Sequence, residues 1–173
     1  MNKLIIYLFI LSIIISCKQK NIEINYYNQN IEFVYNMKGD SSIQCNDIIL
    51  NGKLLELAND TTTLRINTEV PSIKVEHFPE YISFCGYTLN PLIIIDSFCE
   101  GNSCPVKRRI YDTKANLVYY NYSSKYVGLS EFGNLDSLLH SYEITKDEYQ
   151  QNSNQININQ HIVEVLNKKE LGH

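Results

Sequence analysis

The chain has 173 residues, with 15 Lys and Arg against 19 Asp and Glu, for a formal net charge of −4. With 44% hydrophobic and 20% charged residues it has ordinary globular composition, which excludes wholesale disorder, a collagen-like repeat and a coiled coil. Its length suits one domain, and its acidic balance lacks the basic excess of a nucleic-acid binder.

Met1-Asn2-Lys3 is a short basic start, and Leu4 to Ile15 is apolar throughout except for Ser12. As a helix this run would be about 18 Å long. The hydrocarbon core of a bilayer is about 30 Å thick, so the run reads as a secretory signal rather than a membrane span. The following Ile14-Ile15-Ser16-Cys17 resembles the lipobox of bacterial lipoproteins, with two branched apolar residues, a small residue and then cysteine. The resemblance implies removal of residues 1–16, a diacylglycerol on the Cys17 sulfur and acylation of the new α-amino group. A single acyl chain gives only marginal attachment, whereas two or three on one residue hold a protein at the membrane. Lys18-Gln19 after the cysteine includes no Asp. Under the enterobacterial sorting rule this implies the outer membrane, facing the periplasm.

Residues 18–30 are rich in Asn, Gln and Lys and suit a tether of about 20 Å as a random coil. Residues 17–30 are accordingly read as lipidated cysteine and tether, and residues 31–173 as the globular domain. Alternation of Ile22, Ile24 and Tyr26 leaves open a first strand within the tether.

Short β-like runs then recur between turn signals. Ile31–Met37 ends at Gly39-Asp40. Ile43–Leu50 meets Asn51-Gly52, the dipeptide best suited to a two-residue hairpin, and Lys53–Leu57 would return. Further runs fall at Thr62–Ile66, Ser72–His77, Tyr81–Tyr87 and Leu92–Phe98. Leu92-Ile93-Ile94-Ile95 is apolar on both faces and predicts a central, fully covered strand. Pro105–Tyr111 and Leu117–Tyr122 predict a hairpin around Asp112 to Asn116. Val, Ile, Thr, Tyr and Phe dominate these runs, as pleated half-buried surfaces favour.

After Ser130 the period changes. Leu135, Leu138, Leu139 and Tyr142 form one helical face. Thr145-Lys146-Asp147-Glu148 matches a capping box and predicts a second short helix. Ile156 to Leu166 fits either strand alternation or a terminal helix from about Gln160. The fold class is therefore α+β: mainly antiparallel β, as a sandwich or open barrel-like sheet, with one to three short C-terminal helices.

Setting Cys17 aside leaves Cys45, Cys85, Cys99 and Cys104, an even number in a chain read as exported. Cys99-Glu-Gly-Asn-Ser-Cys104 predicts a turn closed by its own bridge, since Gly101-Asn102 can reverse the chain. By elimination Cys45 would pair with Cys85. Buried free thiols are the alternative, and a zinc site with His77 is disfavoured by the lack of any C-x-x-C pair.

No catalytic or cofactor motif stands out. Gly128-Leu129-Ser130-Glu131-Phe132 starts like a nucleophile elbow but ends in Phe where glycine is required. H-E-x-x-H, P-loop, G-x-G-x-x-G and EF-hand patterns are missing from the sequence, so neither a metal nor a cofactor is expected. His77 reads as a partly exposed structural histidine, and Asp96 as the point where an apolar strand emerges into solvent. One constellation remains: Lys107-Arg108-Arg109 and Tyr111, with Tyr120 and Tyr122 across the predicted hairpin. Arg and Tyr are favoured at protein interfaces. Alternation puts Arg108 on one face and Lys107, Arg109 and Tyr111 on the other. These residues form the candidate docking surface for an acidic envelope partner, with a solvated charged face as the plainer alternative. Taken together, the sequence predicts a lipid-anchored, non-catalytic binding protein of the bacterial envelope, of the inhibitor, immunity or adaptor type. A small envelope enzyme and a structural or assembly lipoprotein are the competing readings.

Overall fold

A computed structural model describes residues 20–26, 28–38, 42–55, 57, 61–64, 73–86, 89–98, 106–124, 128–151 and 155–170. The leader, Cys17, Cys99 and Cys104 lie outside the described residues. The chain is mainly antiparallel sheet with short helices toward its C-terminus, as its patterning predicts.

Strands β1 (Lys20–Tyr26), β2 (Gln29–Lys38), β3 (Ser42–Leu50) and β4 (Lys53–Leu54) form a four-stranded antiparallel sheet in sequence order. The tether boundary is thereby corrected. Lys20 to Tyr26 pair residue by residue with Tyr35 to Gln29, so the alternation of Ile22, Ile24 and Tyr26 belongs to a strand of the domain. A bulge at Asn46 separates the pairs Val34–Asp47 and Tyr35–Cys45. The Cys45 N–H there donates to Asn159 Oδ1 at 3.1 Å, so a distant helix satisfies it.

Asn51 and Gly52 have φ of 51° and 81°, the left-handed pair that a two-residue hairpin requires. Asn51 also ties neighbouring turns together. It donates to Gln29 Oε1 at 2.7 Å and to the Thr113 carbonyl at 2.8 Å, and accepts from the Asn30 N–H at 2.9 Å. Thr113 in turn donates to Asn90 Oδ1 at 3.0 Å. Four chain reversals thus meet at one end of the molecule.

The larger sheet has the order β11-β10-β9-β8-β7-β12, comprising β7 (Phe78–Cys85), β8 (Leu92–Phe98), β9 (Val106–Tyr111), β10 (Leu117–Ser124), β11 (Gly128–Phe132) and β12 (Ile156–Asn157). A separate hairpin joins β5 (Thr61–Leu64) to β6 (Ile73–Glu76). Pro79, which cannot donate to a ladder, sits beside the bulge between β7 and β8. The β9–β10 turn is built on Asp112, whose carboxylate accepts from the Lys114 and Asn116 N–H groups and the Asn116 amide. The failed elbow motif is β11. It ends at Gly133, whose φ of 83° and position, where a Cβ would lie 2.7 Å from the Val118 carbonyl, both require glycine.

β8 lies at the heart of this sheet and is covered on both faces. Ile93 and Ile95 join Ile82, Phe84 and Tyr111 in the larger core, against Phe33, Ile48 and Leu50 of the four-stranded sheet. Tyr26 and Phe84 stack across the two sheets with ring centroids 4.5 Å apart. Leu92 and Ile94 point the other way, into a smaller core with Ile110, Tyr119, Leu139 and Ile144. Burying one such aliphatic side chain contributes about 1.5–3 kcal/mol.

Among the described residues three helices pack on these cores: α1 (Leu135–Ser141), α2 (Lys146–Gln150) and α3 (Ile158–Glu170). The first is capped by Asn134, which accepts from the Ser137 N–H at 2.9 Å, and lays Leu135, Leu138 and Leu139 on the smaller core. The third begins directly after β12, so both readings of Ile156 to Leu166 hold in part; Ile158 and Ile162 enter the larger core. Thr145 and Glu148 form the predicted capping box of α2. The Thr145 N–H and hydroxyl donate to one Glu148 oxygen at 2.7 and 2.8 Å.

Asn51→Gly keeps the turn geometry but removes every side-chain tie. It is expected to cost about 1 kcal/mol in urea denaturation, whereas a residue serving the turn alone would be replaced at almost no cost. The Thr145 N–H, then its hydroxyl, hold the Glu148 carboxyl below its ordinary value of 4.5. A depressed folded value means that the cap stabilises fully above about 4.5 and loses its contribution as pH falls through the folded value. An NMR titration should therefore find Glu148 titrating lower in the native chain than in Thr145→Val.

Candidate functional site

Sheet pairing places the basic hairpin beside β8, and strand alternation splits its residues between two chemically different faces. The predicted division holds, with Arg108 on the helix side and Lys107, Arg109 and Tyr111 on the side of the larger core. Three of the six residues expected to form a docking surface are not accessible on the folded domain. Lys107, Tyr111 and Tyr122 are buried, because β8 and the cores flank the hairpin closely enough to enclose its inner face. Arg109 and Tyr120 are half-buried, with the guanidinium 5.4 Å from the ring centroid.

On the helix face Arg108 is committed to Asp96, its cross-strand neighbour. Nε and Nη2 each donate to one carboxylate oxygen at 2.7 Å, a bidentate pair. Asp96 was expected to mark emergence into solvent, but it is buried: it continues the Leu92–Ile94 face under α2. The remaining Arg108 nitrogen, Nη1, donates to the Tyr149 hydroxyl at 3.2 Å, and the guanidinium lies 5.7 Å from that ring. The hydrogen bonds that Arg108 donates to Asp96 outweigh burial and raise the Arg108 pKa, so the guanidinium stays charged. This network fastens α2 to the sheet.

The inner face carries a buried polar row. Ser97 is paired with Lys107, and Lys107 with Tyr122, across three adjacent strands. Lys107 Nζ lies 5.5 Å from the Tyr122 ring centroid. His77, immediately before β7, stands edge-on to Tyr122 at 6.0 Å. It is buried, not partly exposed as expected, since β6 and β7 run without a loop on either side of it. The Ser97 and Tyr122 hydroxyls are buried without a hydrogen-bond partner. Each such group costs about 1–3 kcal/mol. Ser97, Tyr149 and the burial of His77 escaped the sequence reading. Ser97 alone had a signal, since it alternates with Ile93 and Ile95 in the central strand.

The expected Cys45–Cys85 bridge is not formed. Both cysteines are free and buried, Cys45 in the larger core and Cys85 in the smaller. Phe84 faces the four-stranded sheet, so alternation turns Cys85 to the opposite side. Burial, then the Asp47 charge, raises the Cys45 pKa; burial, then Glu148, raises that of Cys85. Both thiols therefore stay protonated and unreactive. Among the described residues no group of three or more His, Cys, Asp or Glu could hold a metal ion. No family model, curated protein or solved structure matches the chain.

Asp96→Asn should destabilise the domain by about 1–3 kcal/mol. The cost is discounted because the Arg108 side chain keeps 39% of its exposure and so regains some solvation. Amide exchange should quicken in α2, the element that Arg108 holds through Tyr149.

Proposed function

We propose that the chain is a lipid-anchored protein of the bacterial envelope whose single domain binds a partner and carries out no catalysis of its own. The observation that carries this reading is Ile14-Ile15-Ser16-Cys17 at the end of a short apolar run, followed three residues later by the first strand of the domain. A chain spans at most about 3.6 Å per residue, so Cys17 and Lys20 can be no more than about 11 Å apart. An acylated Cys17 would hold the domain against the bilayer surface and not on a long tether. Among the described residues no helix is long and apolar enough to cross a membrane. Attachment would therefore rest on the acyl chains.

The direction of β1 supports a particular orientation. Its seven residues run about 20 Å from the Cys17 end toward the cluster of turns joined by Asn51. The turn cluster would face away from the lipid, and around it Leu54, Leu89 and Leu117 are exposed. An inhibitor, immunity protein or adaptor would meet its partner on such a distal end.

Cells fed an alkyne-bearing fatty acid are expected to label the native chain and not Cys17→Ser. The labelled product should have lost residues 1–16 by mass. A chain that carries no acyl mass and keeps its leader refutes the anchoring.

A further inference from the structure

We propose that Asn51 is a site of spontaneous deamidation that the fold holds closed, and that its conversion to aspartate or isoaspartate unties the turns this side chain joins. Asn51-Gly52 is the one Asn-Gly dipeptide in the chain, and both residues are exposed to water. In the reaction the Gly52 backbone nitrogen loses its proton and bonds to Asn51 Cγ. The Cγ–Nδ2 bond breaks and ammonia leaves, giving a five-membered succinimide. Water then opens the ring at either carbonyl, which yields aspartate or isoaspartate. Nothing is oxidised or reduced, and water is the sole co-reactant. Glycine suits the attacking position because it has no side chain to crowd its nitrogen.

Two features of the fold hold this reaction off. The first is the backbone. Positive φ at both residues, with Leu50 paired to Lys53, makes the turn type I′. That type has ψ of about +30° at its first central residue, which turns the Gly52 nitrogen away from Cβ. Ring closure needs the nitrogen and Cβ on the same side, at the ψ of about −120° that a type II′ turn has with the same φ. A flip of the single peptide between Asn51 and Gly52 thus separates the resting turn from the reactive one, and glycine permits it because either sign of φ is open to it. The second feature is the side chain. Nδ2 donates to Gln29 Oε1 at 2.7 Å and to the Thr113 carbonyl at 2.8 Å, while Oδ1 accepts from the Asn30 N–H at 2.9 Å. Both amide hydrogens are engaged, and these bonds restrain the group that must swing toward the Gly52 nitrogen.

The same bonds give the product its consequence. A carboxylate at neutral pH has no hydrogen to donate. Gln29 Oε1 and the Thr113 carbonyl would each meet an acceptor, and Gln29 is buried, so water does not readily replace the lost donor. Isoaspartate would also lengthen the backbone of a two-residue loop, whose length fixes the register of its strands. The β3–β4 turn would then part from the β9–β10 turn. The site does not depend on the anchoring of the chain.

Ageing the full chain in detergent at mildly alkaline pH, followed by peptide mapping with mass spectrometry, tests this. Asn51 should convert about tenfold more slowly in native buffer than in urea, where the turn is open. Gln29→Ala should quicken conversion in native buffer and leave the rate in urea unchanged. Asn51→Asp supplies one product without ageing. It should unfold at a lower urea concentration than the native chain, and lower than Asn51→Gly, which loses the ties without gaining a carboxylate. A native rate equal to the rate in urea, or an Asn51→Asp chain as stable as the native one, would overturn the proposal.

Discussion

The double-sided burial of β8 is the constraint on which the architecture rests. A strand that reads Leu-Ile-Ile-Ile cannot leave either face in water, because each exposed aliphatic side chain forfeits its transfer free energy. One face is closed by the four-stranded sheet and α3, the other by α1 and α2. The result is three layers, with the larger sheet in the middle. The C-terminal helices are therefore not appendages; without them Leu92 and Ile94 would face solvent. The close approach at Gly133, which lets the chain turn from the sheet edge into α1, belongs to the same requirement.

The same alternation governs the polar residues of the sheet. Beyond Ile95 the strand continues as Asp96 and Ser97, and each inherits the environment of the aliphatic residues two positions before it. Asp96 follows Leu92 and Ile94 under the helices, where a lone carboxylate would be costly to bury. Arg108 reaches it from the neighbouring strand, and the pair is tied on to Tyr149. Ser97 follows Ile93 and Ile95 to the other face, where Lys107 and Tyr122 lie beside it. A run of three basic residues is thus divided between two enclosed environments, one a structural latch and the other a buried polar row. Neither is the open basic patch that the linear run suggests. Under the proposed acylation of Cys17, a first strand that begins at Lys20 would commit one end of the domain to the membrane.

Much of the architecture is legible in the sequence. Local signals were reliable where the physics is local. Asn51-Gly52 makes its turn because both residues adopt positive φ, the Thr145–Glu148 box caps its helix through contacts three residues apart, and the leucines of α1 share a face by periodicity. Leu92–Phe98 was bounded correctly because an apolar run of that length has few alternatives. Other boundaries slipped for physical reasons. Of the predicted Lys53–Leu57 strand, β4 covers Lys53–Leu54 among the described residues, and Gly128–Phe132 carries too mixed a pattern to announce an edge strand.

What the sequence determined by itself is the α+β class, most element positions and the face each hairpin residue takes. What only the tertiary structure decided is the company each side chain keeps. Burial of Asp96, His77 and Lys107, separation of Cys45 from Cys85, and the convergence of turns on Asn51 all depend on which strand lies beside which and on what covers each face. Periodicity along a chain assigns a residue to a side of its strand. It carries no record of whether that side meets water or another layer, because the covering residues lie tens of positions away and are brought there only by packing.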